Sequence, residues 1–412
     1  MNNLICTAEE KVKASFRQLE EIEFYNAEKV LKAFQKFGVN EAHFASSSGY
    51  GYDDFGRDTL EEIYAEIFGT EDAIVRHTIT SGTHALTAVL YGLLLPGDHL
   101  LAITGKPYDT LEEAIGIRGD APGSLKEFGV TYGQVDLKEN GDPDYDGIAK
   151  AISEKNPKVI MLQRSKGYSY RKSLDMEEME KLLAFVKERT SAWIFVDNCY
   201  GEFTEKVEPT NIGADVMAGS LIKNPGGGIA PTGGYIVGSK EIIERIANRM
   251  TSPGIGKEGG ATLGVNKAFY QGLFMAPSAV CSALKTAVLA AGVFESLGYS
   301  VCPASDEKRT DIIQAIRLED REKLIAFCQG IQMGSPIDSK VLPEPWAMPG
   351  YQHEVIMAAG AFTQGSSIEL SADGPVIDPY IVYMQGGLTY SYGKLGLKSA
   401  LENLNRKNLL FK

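Results

Sequence analysis

"GSLIKNPGGGIAPTGGYIVG", residues 219–238, decides how the chain is read. An apolar run leads to Lys223, and "NPGGG" follows at once, a segment that cannot continue a helix and that lets backbone approach closely. A lysine confined there loses hydration, which disfavours its ammonium and favours a neutral, nucleophilic amine. A solvated surface lysine is the competing reading. Ser220, three residues earlier, puts a hydroxyl near the same place.

Working upstream, "WIFVDNCYGEF" (193–203) ends an apolar strand on Asp197, 26 residues before Lys223. A carboxylate at a strand end either caps a loop or faces a cationic partner, and a pyridinium nitrogen is one such partner. Earlier still, "TSGTHALTAV" (80–89) opens a helix at Ser81, Gly82 and Thr83 just after a strand, where unpaired N–H groups and the helix dipole favour an anion. An ordinary capped helix fits that stretch equally.

These pieces fall within an alternation of short apolar runs and helical patterns. "AIVRHTIT", "HLLAIT", "VIMLQ" and "WIFVD" each precede a helical stretch, which predicts crossover units and a mainly parallel sheet. Ligands gather beyond the carboxyl ends of such strands. Apolar spacing from Glu9 to Phe37 predicts an N-terminal helical arm, and a long helix rich in small residues spans about 261–297. Beyond it, "KRTDIIQAIRL", "SIELSA" and "YIVYMQGG" read as strands and "EDREKLIAFCQGI" as a helix, a smaller α+β unit. The expected division is a helical arm at 1–45, a large domain at 46–290 and a small domain at 291–412.

At 412 residues the chain is long enough for two domains, with 44% apolar and 23% charged residues. The 41 basic and 54 acidic residues leave a net charge of −13, which disfavours nucleic acid and anionic membrane as partners. No apolar run approaches the length of a membrane span, and the start lacks a secretory layout, so a cytoplasmic protein is expected. Five scattered cysteines and five histidines without metal-ligand spacing predict neither disulfide framework nor metal site.

The order of "SGTHA", "VDN" and "SLIKNPGGG" resembles the fold-type I pyridoxal-phosphate enzymes, the aspartate aminotransferase fold, and within them the cystathionine/methionine lyase group. More narrowly, the chain is similar over most of its length to bacterial proteins labelled methionine γ-lyase-like or aluminium-resistance proteins. The resemblance implies pyridoxal 5'-phosphate as cofactor, Lys223 as its Schiff-base lysine, Asp197 at the ring nitrogen, and Ser81, Gly82, Thr83 and Ser220 at the phosphate. Tyr108 in "GKPYDTL" falls where these lyases place a tyrosine over the cofactor ring, although a strand-end tyrosine also serves packing.

"SSGYGYDDFGRDTLEE" (47–62) is similar to the loop that, in these lyases, reaches into a neighbouring subunit, which makes Tyr50, Tyr52 and Arg57 candidates and implies a homodimer or homotetramer. A solvent-facing loop is the alternative. Arg164 in "VIMLQRSKGYSYRKSL" (159–174) offers a bidentate fork for a substrate carboxylate, or is simply solvated. The chain departs from the group in one respect: between Arg321 and Asn405 it has no arginine, where the lyases generally keep the one that fixes the substrate carboxylate. The expected activity is a carbon–sulfur lyase on a sulfur amino acid. Alternatives are another carbanion reaction (transamination, aldol cleavage) or a non-catalytic stress-response protein on the same scaffold.

Overall fold

The computed structural model describes residues 1–348 and 351–411. Seven strands build the first sheet: β1 (Asp72–Arg76), β2 (His99–Ala102), β3 (Thr131–Gln134), β4 (Val159–Gln163), β5 (Trp193–Asp197), β6 (Val216–Ser220) and β7 (Gly234–Gly238). Their order is β1-β7-β6-β5-β4-β2-β3. Strands β2 to β6 run parallel, as the alternation predicts, while β7 lies antiparallel between β1 and β6. The central strands β4, β5, β6 and β7 are buried along their whole length apart from the first residue of β5, which explains why they are mostly apolar on both faces, with Gln163, Asp197 and Ser220 only at their carboxyl ends.

A second sheet follows: β8 (Ser300–Cys302), β9 (Ile313–Arg317), β10 (Val355–Ala358), β11 (Ser371–Pro375) and β12 (Ile381–Gln385), all antiparallel in the order β10-β11-β12-β9-β8. Helices Arg321–Met333 and Tyr390–Arg406 pack against each other, the first of them covering β10 and β11. The strand expected at "SIELSA" starts four residues later, at Ser371, because pairing with β10 and β12 overrides the poor strand propensity of "SADGP".

Helix Asn266–Ser296 packs on β8, β9 and β12 and on the Lys223 loop, and the N-terminal helices Asn2–Lys11 and Lys13–Lys36 lie along it. By length and apolarity it could cross a membrane, yet 72% of its most apolar window is buried inside the protein. It is a core helix of this fold, and the apolar surface it hides is a large part of the driving force that joins arm, loop and second sheet.

Candidate active site

The carboxyl ends of β4, β5 and β6 face the start of helix Gly82–Leu93. Ser81 caps that helix, its hydroxyl accepting from His84 N at 3.1 Å. The N–H groups of Gly82 and Thr83 have no acceptor within the helix, as at any α-helix start. A Cβ added to Gly82 would lie 3.3 Å from Ser220 Cβ and 3.5 Å from Cys199 Sγ, so the helix start sits close against the ends of β5 and β6 and a larger residue there would be tight. Ser220 Oγ is buried there and has no hydrogen-bond partner among the described residues. Thr83 Oγ1 pairs with Thr110 Oγ1 at 2.7 Å, so its hydroxyl is shared with the neighbouring helix.

Asp197 ends β5 in register with Gln163 on β4 and Ala218 on β6. It is buried, and one carboxylate oxygen accepts from Cys199 N at 3.1 Å. Burial pushes this carboxyl up, while Lys223 and the Cys199 amide hold it back.

Lys223 follows β6 and precedes a short 3-10 turn, Asn224–Gly226. Its Nζ lies 4.1 Å from the centre of the Tyr200 ring, a cation–π distance. Tyr200 adopts a left-handed φ of 74°, unusual for a residue with a side chain and costing about 1 kcal/mol, and this conformation places its ring beneath the amine. The glycines after the lysine have a packing role: a Cβ on Gly226 would collide with Leu221 O at 1.7 Å, and one on Gly227, where φ is 55°, with Gly272 O at 2.4 Å. Backbone thus presses on backbone at helix Asn266–Ser296, and the lysine is fixed at its root.

The expectation of a neutral amine needs correction. Burial works against the charge on Lys223, but Cys199, Tyr200, Asp197 and Glu202 work for it and prevail, so the amine is pushed up. Of these groups only Asp197 is an acid that ionises in the ordinary range, so it is the charged partner of the Lys223 ammonium. A cation set against Asp197 would weaken that hold.

Arg164 is also corrected. Its guanidinium is completely enclosed, donating to Asn198 Oδ1 at 3.1 Å, Gly201 O at 2.8 Å, Thr204 Oγ1 at 3.3 Å and Glu205 Oε2 at 2.7 Å. It braces the loop after β5 and presents no free fork to a substrate. Arg57 is likewise turned inward, donating to Asp58, to the carbonyls of Gly51 and Gly260 and to Glu258 O, so it anchors its own loop and does not project from it. Tyr50 and Tyr52 on that loop stack on each other at 5.5 Å and stand 79% and 53% exposed, outside the Lys223 cluster of their own chain.

Tyr108 begins helix Asp109–Ile115, and its hydroxyl pairs with that of Tyr351 at 2.8 Å. Around it stand groups the sequence reading left unassigned. Tyr168 packs 6.3 Å from Tyr108 and 5.2 Å from Tyr383, Tyr200 pairs with Ser367 at 2.9 Å, and Asp373 on β11 accepts from Tyr168. Glu202, two residues past Tyr200, accepts from the Tyr235 hydroxyl at 2.7 Å, and its other oxygen has no partner among the described residues. Local signals existed in "CYGEF" and "SKGYSY", but nothing in them says which way the rings point.

A partnerless buried hydroxyl, a helix start cleared by glycine, a buried acid and a rooted lysine form the donor set that suits a phosphate-bearing aldehyde with a basic ring nitrogen. Fold and site together define a fold-type I pyridoxal-phosphate protein. The architecture is shared, at 17% identity and a TM-score of 0.61, with the pyridoxal-5'-phosphate-dependent protein YhfS from Escherichia coli, over 95% of this chain and 97% of that one.

The chain belongs to the methionine gamma-lyase family, whose model matches residues 1–405. It is 55% identical over 396 residues to the uncharacterized protein YnbB of Bacillus subtilis (strain 168), covering 96% of this chain and 94% of YnbB. It also resembles a solved carbon-sulfur lyase involved in aluminum resistance from Clostridium novyi NT, 51% identical with a TM-score of 0.94, covering 98% and 95% of the two chains. Its cofactor is pyridoxal 5'-phosphate.

Proposed function

We propose that this protein is a pyridoxal-phosphate-dependent carbon–sulfur lyase acting on a sulfur amino acid of the cystathionine or methionine type. The observation that carries the reading is the meeting of Lys223, Asp197 and Ser220 at adjacent strand ends against the start of helix Gly82–Leu93. It is supported by the family match and by the carbon–sulfur lyase among the solved relatives.

Each residue has a definite task in this reading. The N–H groups of Gly82 and Thr83 and the hydroxyls of Ser81 and Ser220 would hold the phosphate. Asp197, set in a low-dielectric pocket, would keep a proton on the ring nitrogen. Tyr108 is the residue that would cover the ring and exclude water from one face. When bound, the cofactor supplies an electron-poor ring that stabilises negative charge at the substrate Cα. Lys223 Nζ is the amine that would hold the cofactor aldehyde, and it stands where it could also take a proton from the substrate Cα. Loss of a thiol follows from the carbon that carries it. Tyr50 and Tyr52, exposed as they are, serve a neighbouring copy's site in a homo-oligomer.

Two measurements test this. Purified protein should absorb near ~420 nm, and Lys223→Ala should abolish that band. Incubation with cystathionine, cysteine and methionine should release keto acid and thiol from at least one; failure on all three rejects the lyase assignment and leaves the cofactor untouched.

A further inference from the structure

Past Tyr108 the same sheet edge continues into a cavity of about 500 Å³ that the proposed chemistry leaves unused. Its walls are the loops that follow β2, β3 and β4, the carboxyl ends where an open sheet of this kind receives ligands. Two residues join it to the Lys223 cluster. Gln163 ends β4 in register with Asp197, and Tyr108 packs on Gly167, where an added Cβ would lie 3.5 Å from its ring. A space of this order is large enough for part of a small molecule.

The charges on the walls are unevenly placed. Asp136 and Glu139 are exposed on the solvent side, and Asp109 is 3.4 Å from Lys106, which also pairs with the enclosed Glu112. From the segment after β4, Lys166 and Arg171 line the cavity and no acid does. Lys166 is enclosed and donates to Cys302 O at 3.1 Å. Arg171 is half-buried, and its two terminal nitrogens donate to carbonyls, Lys172 O at 2.8 Å and Ser165 O at 3.1 Å. It makes no ion pair among the described residues, and its Nε is neither bonded nor enclosed. Burial works against the charge on Arg171 and on Lys166, Asp311 opposes this at both, and at Lys166 the Arg171 charge adds to the penalty. A carboxylate seated beside them relieves that penalty, and a planar guanidinium is the group suited to grip it.

Position decides which end of a substrate arrives there. Lys223 follows β6, two strands from β4 and so about 10 Å away at ordinary strand spacing, and the cavity extends farther, to β2 and β3. An α-carboxylate stays beside the carbon that the lysine faces, so the cavity suits the opposite end. We infer that this cavity receives the far end of the substrate and that Arg171 is a specificity-determining residue there, selecting molecules whose far end carries a carboxylate. This rests on the carbon–sulfur lyase reading for its choice of thioethers. The recognition itself is read by binding, independently of turnover.

Three probes share an α-amino acid and a thioether and differ only in the terminal group: S-(2-carboxyethyl)-L-cysteine, S-propyl-L-cysteine and S-(2-aminoethyl)-L-cysteine. Cofactor-loaded protein is mixed rapidly with each, and the change in cofactor absorbance reports binding before product accumulates. The carboxyethyl probe should bind about tenfold or more tighter than the propyl probe, as a charge-assisted hydrogen bond allows, with the aminoethyl probe weakest. Arg171→Gln should erase that preference while leaving the propyl probe's affinity and the cofactor spectrum unchanged, and Arg171→Lys should keep part of it. Equal affinities, a preference for the aminoethyl probe, no absorbance change with any probe, or an unchanged ranking in Arg171→Gln overturns the inference. So does an equal loss for all three probes in that variant, which would put Arg171 on the α-carboxylate. Should Arg171→Gln fail to fold, the wild-type ranking and Arg171→Lys decide. If the ranking holds but no thiol or keto acid ever appears, the lyase reading falls and the recognition stands.

Discussion

Replacing Ser220 by alanine should stabilise the cofactor-free protein and weaken its grip on the cofactor, two effects of opposite sign from one oxygen atom. In the chain alone Ser220 Oγ is buried without a partner among the described residues, at the end of β6 and beside the start of helix Gly82–Leu93. Leaving a hydroxyl unsatisfied costs about 1–3 kcal/mol, and deleting it opens only a minute void because Cβ remains, so a net gain of about 1 kcal/mol is expected. With a phosphate present the same hydroxyl makes a hydrogen bond to a charged group, worth about 1.5–3 kcal/mol, and its loss should raise the dissociation constant of the cofactor roughly 10- to 100-fold. Urea denaturation of the cofactor-free forms reads the first effect, and titration with pyridoxal phosphate followed by fluorescence quenching reads the second. A variant that is less stable without cofactor, or that binds it as tightly as the parent, would refute the assignment of Ser220 to the anion cradle.

Two further perturbations follow from buried charges. Arg164→Met leaves Glu205 and Glu208 enclosed without their guanidinium and should cost about 3–5 kcal/mol in thermal or urea unfolding. Substrate affinity of the folded fraction should not change, and a raised KM at undiminished stability would return Arg164 to the substrate. Glu202 is pushed up to about 8 by burial, with the Tyr235 hydroxyl opposing, so the folded chain keeps a proton that the unfolded chain releases near its ordinary value of 4.5. Stability therefore falls as pH rises through that window, and Glu202→Gln should flatten the fall, by a few kcal/mol in order of magnitude, between unfolding curves at pH 5 and pH 8. An unchanged slope would show that Glu202 ionises normally.

The features legible in the sequence are those that lie at ends of apolar runs. Asp197, Ser220 and the start at Gly82 are each marked by the place where a strand or helix pattern breaks, and in a parallel sheet those breaks share one edge. Arg164 also follows such a run, but its outcome turned on Glu205 and Glu208, more than forty residues away in a stretch with no periodicity. A basic residue after a strand reads alike whether it faces a crevice or a buried acid. The protonation of Lys223 is illegible for a related reason: its confinement can be inferred locally, whereas the groups that raise it come from the end of β5 and the loop that follows. Asp373 was missed because "SADGP" has the composition of a turn and becomes a strand only between two partners.

The segment bearing Lys223 leaves the sheet at β6 and re-enters it at the adjacent β7, while its middle is clamped against Gly272. Both tethers are short, so the amine has no slack in its main chain and every excursion must come from rotation about its own four methylenes. The range of that nitrogen is then a sphere of about 6 Å radius centred on its Cα. If Lys223 is the base, selectivity for which hydrogen is removed rests on where incoming molecules are parked within that radius.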